Sequence, residues 1–144
     1  MAERVTQDRI ESLLTALKLN HFRDSFDGMT RTGFPGLVCY FDVNPRGFKV
    51  TTHWLGAATT RLEAIDLSLV INQLNHELRH VRAHPVARGD GKTFVLFEAP
   101  FLTAGAVTDT QLRQVIEFYF STIHRARDVL ERRVPHLASK GFPR

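Results

Sequence analysis

The sequence predicts an α+β fold in which helices pack on an antiparallel sheet, in the order α-β-β-β-α-β-β-α. Three observations predict it: three segments with apolar residues at helical spacing, five extended segments, and tight turns between neighbouring extended segments. Such short turns join antiparallel strands, whereas parallel strands need long crossovers. No linker or repeat divides the 144 residues, so we expect a single domain over residues 1–144.

The first helix is predicted over residues 4–19. Its apolar residues fall largely on one face at helical spacing: Val5, Ile10, Leu13, Leu14 and Leu17. Asn20 is expected to close the helix, because asparagine tolerates the left-handed conformation that a helix end often needs.

Three extended segments are predicted next, over residues 21–29, 37–41 and 48–54. The second is apolar on both faces, as in a central strand, and contains Cys39, which we expect to be a buried core residue. Residues 43–47 contain a proline and a glycine at turn positions and predict a hairpin between the last two segments.

The second helix is predicted over residues 66–80. Its core face is formed by Leu67, Val70, Ile71, Leu74 and Leu78. Thr60 and Glu63 have the spacing of a capping box, which would begin the helix earlier. Leu62 and Ile65, however, lie off the apolar stripe, so the first residue of this helix is left open.

Two strands over residues 81–87 and 92–97 follow, joined by a glycine-rich loop, with an extension of the second to residue 101 left open. The last helix has Thr108 as its N-cap and Gln111 as the capping-box partner. Its apolar stripe comprises Leu112, Val115, Ile116, Tyr119, Ile123, Ala126 and Leu130. We expect Pro135 to end it.

Composition narrows the function classes. No apolar run reaches the ~20 residues that a membrane span needs, so we expect no membrane association. A single cysteine and a polar N-terminus favour the cytoplasm. The net charge of +4 leaves a weak nucleic-acid binder as an alternative, although acidic and basic residues are interleaved through most of the chain. Basic residues concentrate at the C-terminal end: Arg125, Arg127, Arg132, Arg133, Lys140 and Arg144.

The segment His76-Glu77-Leu78-Arg79-His80 matches the zinc-hydrolase pattern H-E-x-x-H. A third zinc ligand is missing after the second histidine, and both histidines project away from the apolar stripe of the helix. A zinc-dependent hydrolase is therefore an alternative, and the favoured interpretation has no enzyme activity, metal or cofactor. Three aspartates, Asp24, Asp27 and Asp42, are expected to be turn or solvent-facing residues.

Two motifs resemble the YbjN-like family of bacterial sensory transduction regulators. Ile71-Asn72-Gln73-Leu74-Asn75-His76-Glu77 is similar to the family's asparagine-containing helix, and Ala106-Val107-Thr108-Asp109-Thr110-Gln111-Leu112 to the start of its last helix. Leu74 stands where many members have tryptophan. The resemblance implies a fold like that of type III secretion chaperones, which are often dimeric and bind polypeptide segments without metal or ATP. The family brings no catalytic residues.

The two asparagines of the first motif, Asn72 and Asn75, are interpreted as structural, with side-chain amides that bond to nearby backbone. Phe118 and Phe120 flank the stripe of the last helix on opposite sides, too wide for one packed surface to bury both. We expect at least one ring to contact a second copy of the chain or a partner polypeptide. The sequence thus favours a non-catalytic binding or chaperone-like domain, homodimeric, whose partner it does not name.

Overall fold

The computed structural model describes residues 2–103 and 105–138, which contain three α-helices and six strands. The helices are α1 (Gln7–Ala16), α2 (Arg61–Glu77) and α3 (Asp109–Arg133). The strands are β1 (His21–Arg23), β2 (Thr30–Phe34), β3 (Leu37–Asn44), β4 (Gly47–Ala58), β5 (Arg82–Ala87) and β6 (Thr93–Leu102). They form one sheet in the order β1-β2-β3-β4-β6-β5, every neighbouring pair being antiparallel. The α+β prediction is confirmed.

The element order differs from the prediction by one strand, because β2 was not predicted and only β1 lies in the extended segment over 21–29. Apolar alternation could not reveal β2, since its two buried side chains are the threonines Thr30 and Thr32. Their hydroxyls donate hydrogen bonds to Glu11 Oε2 (2.6 Å) and to the Asn20 carbonyl (2.8 Å). These bonds offset the cost of burying hydroxyl groups.

The helix ends follow their capping side chains. The Thr6 hydroxyl caps α1, which ends at Ala16 with Lys18 at a φ of 60°, so the prediction that Asn20 closes this helix was wrong. Thr60 caps α2, which therefore begins five residues before the predicted start at 66 and ends three residues before 80. The capping box of Thr108 and Gln111 is confirmed on α3.

The three helices lie on one face of the sheet. A row of in-register residues runs across that face and is almost completely buried: Thr32, Cys39, Thr52, Phe97 and Ala83. The Thr52 hydroxyl donates to Cys39 Sγ (3.1 Å) and lies 2.7 Å from the Tyr119 hydroxyl of α3. Burial raises the pKa of the Cys39 thiol to about 12, so this thiol is an inert core group as expected.

The predicted turn between β3 and β4 is confirmed, and Gly47 has a further role there. A Cβ atom at this position would lie 2.0 Å from the Phe101 carbonyl oxygen. Glycine therefore allows the start of β4 to approach β6 closely. A short 3-10 helix, Pro135–Leu137, follows α3 and buries Leu137 in the core.

Candidate functional site

The sheet face opposite the helices carries a second, more polar set of side chains. Because side chains alternate along a strand, the residues between the buried ones of β3 and β4 point to this face. Val38, Tyr40, His53 and Leu55 are all half-buried there. This open face contrasts with the helix-covered face, where the corresponding residues are almost completely buried.

A groove of about 710 Å³ runs over the open face. Its floor is formed by the four residues just named, and its walls come from the ends of neighbouring strands and their loops: Asp27, Met29 and Arg31 on one side, and Val86, Arg88, Asp90, Lys92 and Phe94 on the other. Its volume and its floor, which combines the apolar Val38 and Leu55 with the polar groups of Tyr40 and His53, are typical of ligand sites. The groove is therefore the candidate functional site.

An arginine lies over an aromatic ring at each end of the groove. The Arg31 guanidinium carbon is 5.4 Å from the centre of the Tyr40 ring, and that of Arg88 is 4.9 Å from the centre of the Phe94 ring. Both distances are within the range of cation–π attraction. Tyr40 is aligned with Glu98 of β6, two strands away, and Phe94 lies four residues before Glu98 on that strand. The distance between the two aromatic residues across the sheet is therefore about 16 Å.

Carboxylates hold both arginines without neutralising the groove. Asp27 accepts from Arg31 at 2.9 Å, and Asp90 lies 3.5 Å from Arg88. Hydrogen bonding by the Met29 backbone and then by Arg31 lowers the pKa of Asp27, so its carboxylate is ionised. Together with Lys92, the two arginines give the groove three basic residues, whereas its lining contains two acidic ones. Arg31 Nε is buried and has no hydrogen-bond partner within the described residues.

Tyr40 and His53 form a neutral pair on the floor. The Tyr40 hydroxyl lies 2.9 Å from His53 Nε2, and the two rings stack with their centres 5.6 Å apart. Burial, reinforced by the positive charge of Arg31, lowers the pKa of His53, and burial raises the pKa of Tyr40. At neutral pH the imidazole is uncharged, so the positive charge of the groove comes from its arginines and Lys92.

The structure separates the two histidines of the H-E-x-x-H motif. Helix α2 ends at Glu77, and His80 lies beyond the helix with a φ of 68°. His76 bonds the Asn72 carbonyl, whereas His80 bonds the Pro100 carbonyl and packs on the Phe101 ring. The described ranges contain no group of three or more His, Cys, Asp or Glu side chains that could hold a metal ion. The geometry thus does not bring a zinc-hydrolase site together.

The two motif asparagines have different surroundings. Asn75 Nδ2 donates to the Ala83 carbonyl (2.9 Å), and its Oδ1 accepts from the Ala83 backbone N–H (2.7 Å), which joins α2 to β5. Asn72 is exposed, and its side chain makes no hydrogen bond to any described residue. The structural interpretation made for both residues therefore fits the contacts of Asn75 alone.

The two flanking phenylalanines of α3 also differ. Phe120 is only 7% exposed, because Phe34 at the end of β2 covers it at a ring distance of 4.9 Å. Phe118 is 44% exposed. Strand β2, which was not predicted, thus buries the ring of Phe120. Contact with a partner stays a prediction, and Phe118 is now the one of the two that could make it.

The basic residues of α3 do not form one surface. Arg127 donates to the Pro35 carbonyl and Arg133 to Gln73, while Arg125 and Arg132 face solvent. Lys140 and Arg144 lie outside the described residues.

No helix within the described ranges is long and apolar enough to cross a membrane.

Sequence reasoning missed the groove, although one signal pointed to it. The segment over 37–41 is apolar on both faces, which predicts a central strand but no binding face. Tyr40 and His53 are amphipathic, however, and pair across neighbouring strands on the side away from the helices. Large amphipathic residues at alternating positions are equally typical of a binding face.

Comparisons with known proteins agree on one family. The model of the YbjN family, described as "Putative bacterial sensory transduction regulator", matches residues 6–132. The crystal structure of YbjN from E. coli, described there as a putative transcription regulator, superposes with a TM-score of 0.75. The alignment covers 95% of this chain and 98% of that chain at 13% sequence identity, which shows a shared fold. No curated protein sequence matches the chain.

Proposed function

The chain belongs to the YbjN family, and from this premise we propose that it is a non-catalytic, chaperone-like regulatory domain that binds an extended polypeptide segment in its groove. The family description supports a regulatory or binding role. The observation that carries the proposal is the pair of arginine–aromatic contacts at the two ends of the groove floor. The proposed setting is the bacterial cytoplasm, where the single thiol stays reduced.

The length of the groove supports an extended segment as its occupant. A span of about 16 Å accommodates about five residues of extended chain at roughly 3.3 Å per residue. Val38 and Leu55 on the floor offer contacts to apolar side chains of such a segment. The Arg31 side chain is 31% exposed, so its guanidinium can also donate to a carbonyl or carboxylate oxygen of the ligand at that end.

Charge favours a segment with acidic residues near both ends. The two arginines lie at opposite ends of the floor, and Lys92 adds to the positive charge near Arg88. A carboxylate that bonds to one arginine gains a charge-assisted hydrogen bond, worth roughly 1.5–3 kcal/mol. The fitting ligand is therefore an apolar segment of about five residues that is flanked by Asp or Glu.

Single-stranded nucleic acid fits the same surface less well. Bases bind open sheets by stacking on aromatic faces, but Arg31 and Arg88 already cover the rings of Tyr40 and Phe94. Asp27, Asp90 and the half-buried Glu98 also place negative charge on this face, which repels phosphates.

Display of random heptapeptides tests the proposal. Panning on the wild type, with counter-selection on an Arg31→Ala/Arg88→Gln double variant, should enrich apolar segments flanked by acidic residues. A selected peptide, labelled with fluorescein, should bind Arg88→Gln about tenfold more weakly, the equivalent of ~1.4 kcal/mol. Arg125→Gln, which changes an exposed arginine on the helical side, is the matched control and should bind as the wild type does.

Two outcomes would contradict the proposal. One is enrichment that the double variant retains, since the peptides would then bind elsewhere. The other is a single-stranded oligonucleotide that competes with the selected peptide for the groove and loses affinity on Arg88→Gln, which would assign the groove to nucleic acid.

A further inference from the structure

Helix α2 has a second apolar stripe, which points directly away from the sheet. At 100° per residue its centre lies about 180° from the buried stripe of the same helix. Its members follow one another at spacings of three, four, three and four: Leu62, Ile65, Leu69, Asn72 and His76. We call these five residues the outer seam. Its aliphatic side chains are 70%, 50% and 61% exposed, respectively, so the protomer's own core does not use them.

The spacing of the outer seam is the heptad pattern of a two-stranded coiled coil. Alternation of three and four places Leu62, Leu69 and His76 at a positions and Ile65 and Asn72 at d positions. A single exposed leucine is ordinary, but three large aliphatic side chains along one line are typical of a contact surface. Because α2 is already folded on the sheet, pairing does not include the unfavourable free energy of forming a helix.

We propose that the outer seam pairs with the outer seam of a second copy of this chain, with the two α2 helices parallel. The charges beside the seam select this orientation. Arg61 lies at a g position and Asp66 at the following e position, and in a parallel pair each Arg61 faces Asp66 of the other copy. In the antiparallel arrangement that pairs Ile65 with Leu69, the two Asp66 side chains approach each other instead.

Two neighbouring features extend the pairing. Asn72, whose side chain is unbonded within the described residues, meets its counterpart in the parallel register, where the two amides can hydrogen-bond to each other. A cleft of about 170 Å³ adjoins Leu69 and is lined by Asp66, Val70, Arg133, Val134 and His136. Side chains of the second copy can enter this cleft and widen the contact beyond α2.

The seam is short, which sets the expected affinity. The fifteen residues from Leu62 to His76 extend about 21 Å, since fourteen rises of 1.5 Å separate the first from the last. A contact of this length is at the small end of specific interfaces, so we expect a dimer with a Kd in the micromolar range.

Sedimentation velocity over about 1 to 200 µM protein tests the pairing. The wild type should shift from monomer to dimer, and Leu69→Lys should raise the Kd at least tenfold. Leu62→Ser is a second variant with the same expected direction, and circular dichroism verifies that both are folded. Phe118→Ser removes the exposed ring of α3 that was the other candidate for a contact with a second copy, and it should dimerise as the wild type does if the outer seam is the interface. A wild type that stays monomeric throughout would overturn the proposal, and so would a dimer that Phe118→Ser dissociates and Leu69→Lys does not.

Disulfide cross-linking tests the orientation. The native Cys39 is buried with a pKa raised to about 12, so it does not compete with introduced thiols. In a parallel pair every seam position faces its own counterpart, so Leu62→Cys and Leu69→Cys should each form a cross-linked dimer under mild oxidation. Cross-linking at neither position, or at one alone, would contradict the parallel arrangement.

Discussion

Helices α2 and α3 are both long and both begin at a threonine cap, yet they use their apolar residues differently. The apolar residues of α3 are concentrated on one face, which is buried against the sheet and its neighbours from Leu112 to Leu130. Those of α2 lie on two opposite faces, and only the face formed by Leu67, Val70, Ile71 and Leu74 is buried. A helix whose apolar residues exceed what its own core can bury indicates a second contact.

The largest expected difference in the free energy of unfolding is between substitution of a buried residue of α3 and substitution of an exposed residue of α2. Ile123→Ala should lower the free energy of unfolding by about 2–5 kcal/mol, because Ile123 is fully buried and its loss leaves a cavity. Leu69→Ala should change it by no more than about 0.5 kcal/mol at concentrations where the protein is monomeric. Urea unfolding at low micromolar protein measures both. A loss of 2 kcal/mol or more for Leu69→Ala would mean that the monomer itself needs the outer seam.

The two asparagines of α2 sharpen the comparison between its inner and outer faces. Asn75→Ala should cost about 1–3 kcal/mol, because the Ala83 N–H and carbonyl lose both their partners in a half-buried position. Asn72→Ala should stay within about ±0.5 kcal/mol in the monomer. Thermal unfolding monitored by circular dichroism compares the two. Equal losses would show that Asn72 has a structural contact within the protomer.

The two histidines after Asn75 give the smallest expected effect. His76→Ala should change the free energy of unfolding by less than about 0.5 kcal/mol, since the side chain is exposed. His80→Ala should cost up to about 1 kcal/mol through the lost bond to the Pro100 carbonyl. Added zinc should leave the melting temperature of the tag-free wild type unchanged. A zinc-dependent rise that either variant abolishes would establish a metal site that the geometry does not indicate.

Local chemistry explains which elements could be predicted. The capping box of Thr108 and Gln111 and the single-faced stripe after it define α3 from adjacent residues alone. The hairpin over residues 43–47 and the strand from Lys92 onward were also predicted from local signals. The start of α2 could not be decided in the same way, because Leu62 and Ile65 serve the outer face and blur the stripe of the inner one.

What the sequence by itself determined is the α+β class, the capping box that begins α3 and the buried thiol of Cys39, since each follows from patterns among neighbouring residues. The tertiary structure decided the rest. Strand β2 pairs with β1 and β3, and it can bury its two threonines because Glu11 and the Asn20 carbonyl accept their hydroxyl hydrogen bonds. Its end then covers Phe120, which removes that ring from the surface. The groove likewise arises where β4 pairs with β6, which brings Arg88 and Phe94 to the same face as Tyr40. Local patterning does not specify the register between segments so far apart in the sequence.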